Sequence, residues 1–251
     1  MIPVSAPPRV RAHLHGAPDG PVPVVHRGRD AVYVDVAGRI VGLVGPRATA
    51  VPCALRSISD RSRSGHLEGA GGPIAAESAY LRGGVLHLDG EPLRIGRIVD
   101  VGVPLITAGS AADAAIPPAA AAELAAPPPA DLGADDVARL VGRGGGLTPF
   151  GDDVLCGWLA VHRAAGIAAA EVEAAVRAHL AATTLLSATL LDCALHGEVI
   201  PEFAAYVAAL GSPSQSAAAA TLAAVGHTSG AGMLYGARLA LTHLSELKGA
   251  A

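Results

Sequence analysis

The chain has 251 residues, enough for one large domain or two small ones with a sizeable core. Its formal charge of −4 and its 3% aromatic content remove any electrostatic or stacking basis for nucleic-acid binding, and give no pull toward an anionic membrane. The amino-terminal residues lack the basic and apolar regions of a signal peptide, and no apolar run reaches spanning length unbroken, so a soluble, cytoplasmic protein without membrane segments is expected.

The first hundred residues read as β-structure. Ala31 to Val36 and Arg39 to Val44 are β-branched runs around Ala37-Gly38 and predict a hairpin. Thr49-Ala50-Val51, Gly84 to Leu88, Pro92 to Ile95 and Arg97 to Val101 are further strand-like pieces. Asp89-Gly90 between two of them is a strong hairpin turn. Ser57 to His66 is polar and reads as a loop, whose arginines face either solvent or an acidic ligand. Residues 107–134 shift to Ala and Pro, with a short helix expected from Ala119 to Ala126. Cys53, Cys156 and Cys193 lie far apart without a CxxC pair, which predicts free thiols in a reducing compartment.

From Asp135 onward the pattern is helical. Helices are expected over Asp135 to Val141, from Val154 to near Gly166, Glu171 to Ala182, Thr183 to His196, Pro201 to Leu210, Ser212 to Val225 and Ser229 to Leu247. The fold class is therefore α+β. An N-terminal β-rich domain, barrel- or sandwich-like, occupies 1–106. An Ala/Pro-rich connector covers 107–134, and a C-terminal helical bundle covers 135–251.

Gly142 to Asp153 packs five glycines, a Thr-Pro step and two adjacent carboxylates into one stretch just before an apolar helical run. Thr148 is a candidate N-cap and Pro149 fits the first helical position. A glycine loop feeding a helix start presents free N–H groups and the positive end of the helix dipole, which suits an anion. Asp152 and Asp153 suit that dipole as well, yet repel an anion unless a cation, a proton or an Arg intervenes. Three readings stay open for the pair: dipole complementation, a hard cation such as Mg²⁺, or a general base. Neighbouring helical side chains point about 100° apart, which disfavours both reaching one ion directly. No Cys/His spacing supports zinc, and no Gly-Lys-Ser/Thr follows the glycines, which disfavours a nucleotide P-loop.

Two later stretches carry polar groups near helix ends. Thr183-Thr184-Leu185-Leu186-Ser187 sets hydroxyls at 184 and 187 on one helix face. Such hydroxyls either serve a ligand or bond the carbonyls of the preceding turn. Gly226-His227-Thr228-Ser229-Gly230 precedes the last helix. Ser229 there is a candidate cap, and His227 is either a proton donor near neutral pH or a packed side chain. The three stretches are expected to meet around one small anion, with Thr148, Asp152, Thr184, Ser187, His227 and Ser229 lining the pocket.

Taken in order, Gly146-Leu147-Thr148-Pro149-Phe150-Gly151-Asp152-Asp153, Thr183 to Ser187 and Gly226 to Gly230 resemble the AllH-like family, the small-subunit family of oxamate carbamoyltransferase. The resemblance covers about residues 140–240. Two positions depart from the family's pattern, with Phe150 where relatives carry Ser and Gly232 where they carry Asp.

The resemblance implies a subunit of an enzyme of purine-derived ureide (allantoin) breakdown. That enzyme interconverts oxalurate and phosphate with oxamate and carbamoyl phosphate. It also implies two other subunits as partners, one of them acyl-CoA-synthetase-like. Asp152, Asp153 and His227 are then the expected catalytic residues. Gly145, Gly146, Thr148, Gly151, Thr184, Ser187, Thr228, Ser229 and Gly230 are expected to bind the small carboxylate or phosphate. Two other functions remain in view: a non-catalytic assembly or ligand-sensing subunit, and a stand-alone metal-dependent hydrolase using the Asp pair.

Overall fold

The structure is a computed structural model that describes residues 1–57, 76–106 and 127–249. Most of the polar loop expected up to His66, and the helix expected at 119–126, lie outside the described residues. Contacts divide the chain into two units, Met1–Asp100 and Val101–Ala251.

The first unit is β1 (Ile2–Ala6), α1 (Pro8–Gly16), β2 (Gly20–Val22), β3 (Val24–Arg27), β4 (Ala31–Val36), β5 (Arg39–Val44), β6 (Ala54–Ser57), β7 (Ala79–Arg82), β8 (Val85–Leu88) and β9 (Glu91–Ile98). The nine strands form one sheet in the order β2-β7-β8-β9-β1-β6-β5-β4-β3. The two end strands, β2 and β3, are separated in the chain by Pro23 alone, so the sheet curls into a nearly closed, barrel-like form. Its inside is aliphatic, with Val32, Val34, Val36, Leu43, Leu55, Leu81 and Leu88 all buried. Along β4 buried and half-buried positions alternate, as a strand with one face on a core requires. Val10 and Leu14, one turn apart on α1, join the same core.

Both expected turns are present. Ala37 and Gly38 have φ of 51° and 81°, and Asp89 and Gly90 have 48° and 79°. Two successive positive φ values give the turn whose twist matches the flanking strands. Elsewhere the strand readings need correction. Thr49-Ala50-Val51 is not a strand, and β6 follows it at Ala54. The pieces expected at 92–95 and 97–101 are one strand, β9, with a register shift against β1 where Gly96 is passed over. β1, α1, β2, β3, β6 and β7 are too short, or too broken by Pro and polar residues, to show periodicity.

The second unit is helical: α2 (Ala134–Leu140), α3 (Phe150–Ala165), α4 (Ala170–His179), α5 (Leu185–Leu195), α6 (Pro201–Ala208), α7 (Gln215–Ala223) and α8 (Ser229–Gly249). A short 3₁₀ turn, Leu180–Ala182, sits between α4 and α5. The helix expected from Thr183 starts two residues later, because Thr183 is extended and Thr184 is its cap. α3 is apolar on nearly every side, and a helix patterned that way belongs in the middle of a bundle. All but Cys156, Arg163 and Ala165 of its residues are buried.

α8 crosses α3 at backbone contact. A Cβ on Gly157 would fall 2.0 Å from the Met233 carbonyl oxygen, and one on Gly236 would fall 1.8 Å from that of Val154. Two glycines, one on each helix, make the crossing possible. This close pairing brings the first turn of α8 against the first turn of α3.

Candidate functional site

The loop from Gly142 to Pro149 links α2 to α3, and its middle, Arg143 to Leu147, is exposed. Gly142 has φ of 71°, a conformation that frees its N–H to point at Asp152. α3 begins at Phe150, with Pro149 in the cap position and no side-chain cap bond. Thr148 is therefore not the cap. Its Oγ1 instead lies 2.8 Å from Ser229 Oγ at the start of α8.

Asp152 is fully buried and accepts three hydrogen bonds. Gly142 N–H donates to Oδ1 at 2.8 Å, while Thr183 Oγ1 and Ser187 Oγ donate to Oδ2 at 2.5 Å and 2.7 Å. One carboxyl group thus ties the glycine loop and the start of α5 to the first turn of α3. Thr184 caps α5 by accepting from the Ser187 N–H at 3.1 Å, and donates to the Leu147 carbonyl at 2.5 Å. The pattern of hydroxyls bonding back along a helix is found one turn further on, at Thr189, which donates to the Leu185 carbonyl at 2.8 Å.

Asp153 is the opposite case. It is 4% exposed, and its Oδ2 is buried without a hydrogen-bond partner. Burial raises its pKa well above the ordinary carboxyl value. The Ser229 hydroxyl pulls it partly back, the charge of Asp152 raises it further, and the Thr148 hydroxyl opposes this weakly. The group is held towards its neutral form, which can donate a hydrogen bond as well as accept one.

The first turns of α3, α5 and α8 are thereby joined through side chains: α3 to α5 by Asp152 and Ser187, and the α3 loop to α8 by Thr148 and Ser229. Each of these termini carries the positive end of a helix dipole. The conflict between an anion and two adjacent carboxylates is eased, because one is saturated by donors and the other is pushed towards protonation.

The remaining expected residues are distributed differently. Gly145 and Gly146 lie in the exposed loop. Gly151 and Gly230 are places of close approach, since a Cβ would sit 2.1 Å from the Leu140 carbonyl oxygen and 1.8 Å from that of Leu222. The Thr228 carbonyl accepts from the Gly232 N–H at 2.9 Å, and Ser229 is the first residue of α8, not a residue ahead of it. His227 is exposed. Gly232 faces Asp153: a Cβ there would lie 2.8 Å from the Asp153 Cβ. Thr183 is a further residue of this cluster, and the doubled Thr183-Thr184 is its signal in the sequence, because only one of two such hydroxyls can cap.

For a metal, the donor set decides. Among the described residues no group of three or more His, Cys, Asp or Glu side chains is arranged to hold an ion. A cation at Asp152 would have to displace N–H and O–H donors already in place. None of the three cysteines forms a disulfide, and burial pushes the Cys156 thiol up, so it is held protonated. No helix among the described residues is long and apolar enough to cross a membrane.

Fold and site together define a helical domain whose polar helix starts are locked around a buried acid pair. Residues 140–241 match the family model described as oxamate carbamoyltransferase subunit AllH, the family that the three motifs resemble. That span runs from the last residue of α2 into α8 and contains the glycine loop, both acids and all the helix starts just described. Neither the search of curated proteins nor that of solved structures gave a match.

Proposed function

We propose that the chain is a subunit of an oxamate carbamoyltransferase-like enzyme, and that its helical unit binds a small carboxylate or phosphate at the joined starts of α3, α5 and α8. The reaction served is the interconversion of oxalurate and phosphate with oxamate and carbamoyl phosphate. The partners are two further subunits, one of them acyl-CoA-synthetase-like. The family match supports the subunit role, and every substrate of the reaction is a small anion.

The observation that carries the ligand reading is Asp153. A buried carboxyl with one unpartnered oxygen leaves a polar group unsatisfied, which costs about 1–3 kcal/mol in an ordinary interior. Held neutral, it donates to an anion that Thr148 and Ser229 also contact through their hydroxyls. Asp152 acts as the positioning residue, fixing the glycine loop and the Thr184–Ser187 turn. Electrostatic positioning by such fixed donors is the main contribution asked of the site, since carbamoyl transfer develops negative charge on oxygen. His227, exposed two residues before Ser229, is the proposed proton-transfer residue.

Thermal unfolding in the presence of oxamate, oxalurate or phosphate tests the reading. At least one of them raises the melting temperature of the wild-type chain, and Asp153→Ala and Ser229→Ala abolish the rise. Co-expression with the neighbouring genes and affinity recovery tests the assembly. A chain that none of the three anions stabilises, and that is recovered alone, would refute the proposal.

A further inference from the structure

The N-terminal unit has a cleft of about 520 Å³ between α1, the start of β8 and the second half of β9. It arises from an interrupted ladder. β8 pairs with β9 only at His87↔Pro92 and Leu88↔Glu91. Beyond Pro92 no further β8 pairing follows, while β9 continues beside β1 as far as Ile98. The two strands part there, and the opening is lined on one side by Gly84 and Val85 and on the other by Leu93 to Ile98.

The lining is unusually one-signed. Arg11, His15, Arg94 and Arg97 contribute to it, and no acidic residue does. Two local devices gather them. Arg11 and His15 are four apart on α1, so they share one helix face. Arg94 and Arg97, three apart on a strand, would ordinarily point to opposite faces. The register shift at Gly96 sets Arg94 opposite Pro3 and Arg97 opposite Ser5, which have the same parity on β1. Both arginines therefore fall on one face.

These guanidinium groups are also unspent. Arg27 of the same unit donates to the carbonyls of Ala76 and Glu77, and Arg47 pairs with Asp30. Arg11, Arg94 and Arg97 have no side-chain hydrogen bond or ion pair among the described residues. Three like charges around one opening repel each other, and an anion of two or more charges relieves that repulsion. Val85 adds an apolar side chain to the lining, Leu93 and Ile95 pack on the core of the unit, and the volume is in the range of small-molecule sites. No Phe, Tyr or Trp lines the cleft, so it offers no platform for stacked bases of a nucleic-acid strand.

We propose that this cleft binds a phosphorylated small molecule, its phosphate or diphosphate held by Arg94 and Arg97 together with Arg11 of α1, and its uncharged part against Val85. Paired guanidinium forks match phosphate oxygens in geometry as well as in charge. The site lies in a different unit from the helix starts discussed above and does not depend on the function proposed for them.

Isothermal titration of the full chain with inorganic pyrophosphate and with ADP tests the proposal. A dissociation constant below about 1 mM for at least one of them is expected. The double variant Arg94→Gln/Arg97→Gln weakens binding by about tenfold or more, as does raising NaCl, while Arg94→Lys/Arg97→Lys keeps part of it. Asp153→Ala leaves this binding unchanged, which separates it from events in the helical unit. These arginines are exposed, and an unchanged melting temperature of the variants establishes that they fold. Absence of binding by both probes up to about 10 mM overturns the proposal. So does binding unaltered in the double Gln variant, or a poly-glutamate peptide that binds the same arginines more tightly than either probe.

Discussion

Thr148 and Ser229 are 81 positions apart, yet their side-chain oxygens lie 2.8 Å from each other where the glycine loop meets the start of α8. Both hydroxyls also act on Asp153. The pair is expected to behave as a unit. Thr148→Val and Ser229→Ala should each cost about 1 kcal/mol in stability, and the double variant should cost clearly less than the sum. A double-mutant cycle by urea unfolding measures the coupling, and strict additivity would mean the contact contributes nothing.

Asp152 is expected to be the structural acid. In Asp152→Asn an amide NH₂ replaces one of the oxygens that accept from Gly142, Thr183 and Ser187. A loss of about 2–3 kcal/mol is expected. Hydrogen exchange should show the Gly142 amide, and the first turn of α5, losing protection before the rest of the unit. A variant that melts like wild type would show the three bonds to be incidental.

Asp153 should respond to pH with the opposite sense to an ordinary paired carboxylate. Its pKa is raised in the folded chain, so above the unfolded value near 4 the folded state keeps a proton that the unfolded state has lost. Stability from this group is present at acid pH and is lost as pH rises towards the folded pKa. Asn resembles the neutral acid and has no proton to release. Asp153→Asn should therefore melt no lower than wild type at pH 7 and gain on it steadily from pH about 4 upward. A constant deficit at all pH values would contradict a neutral Asp153.

His162 supplies the reverse slope. It is 2% exposed, stacks on Trp158 with ring centroids 3.6 Å apart, and lies with Nε2 3.3 Å from His243 Nδ1. Burial lowers its pKa from 6.5 to about 4, an effect that the hydrogen bond to the Trp158 carbonyl opposes and His243 reinforces. Between those values the unfolded chain binds the proton and the folded chain does not, so stability falls as pH drops from 6.5 to about 4. The full effect is up to about 3 kcal/mol. His162→Phe keeps a ring against Trp158 and should flatten the melting profile over that window, as read by scanning calorimetry.

The glycine crossing makes a steric prediction. Gly236→Ala puts a methyl 1.8 Å from the Val154 carbonyl oxygen, and the obstacle is backbone that cannot rotate away. A loss at or beyond the upper part of about 1–3 kcal/mol is expected, against a small gain for Gly→Ala at an unobstructed helical position. Because the same crossing sets α8 against the acids, the variant should also lose stabilisation by ligand.

Local chemistry made much of this protein legible in one dimension. Two successive residues with positive φ need Gly, Asn, Asp or a tolerant neighbour, so Ala37-Gly38 and Asp89-Gly90 announced their hairpins. The apolar run after Asp153 announced a central helix, and the three polar stretches pointed to the AllH-like family that residues 140–241 match. Partnership was not legible, because it depends on contacts between distant segments. Asp152 and Asp153 are adjacent and chemically identical, and the sequence left three readings open for the pair. The fold gave Asp152 three donors from the glycine loop and the start of α5, and left Asp153 buried with a free oxygen beside α8. In the same way Arg94 and Arg97 share a face only because β9 slips by one residue against β1. Spacing along the chain sets which side chains are available, whereas burial and hydrogen-bond partners, which set their charge and their role, come from elements brought in from elsewhere.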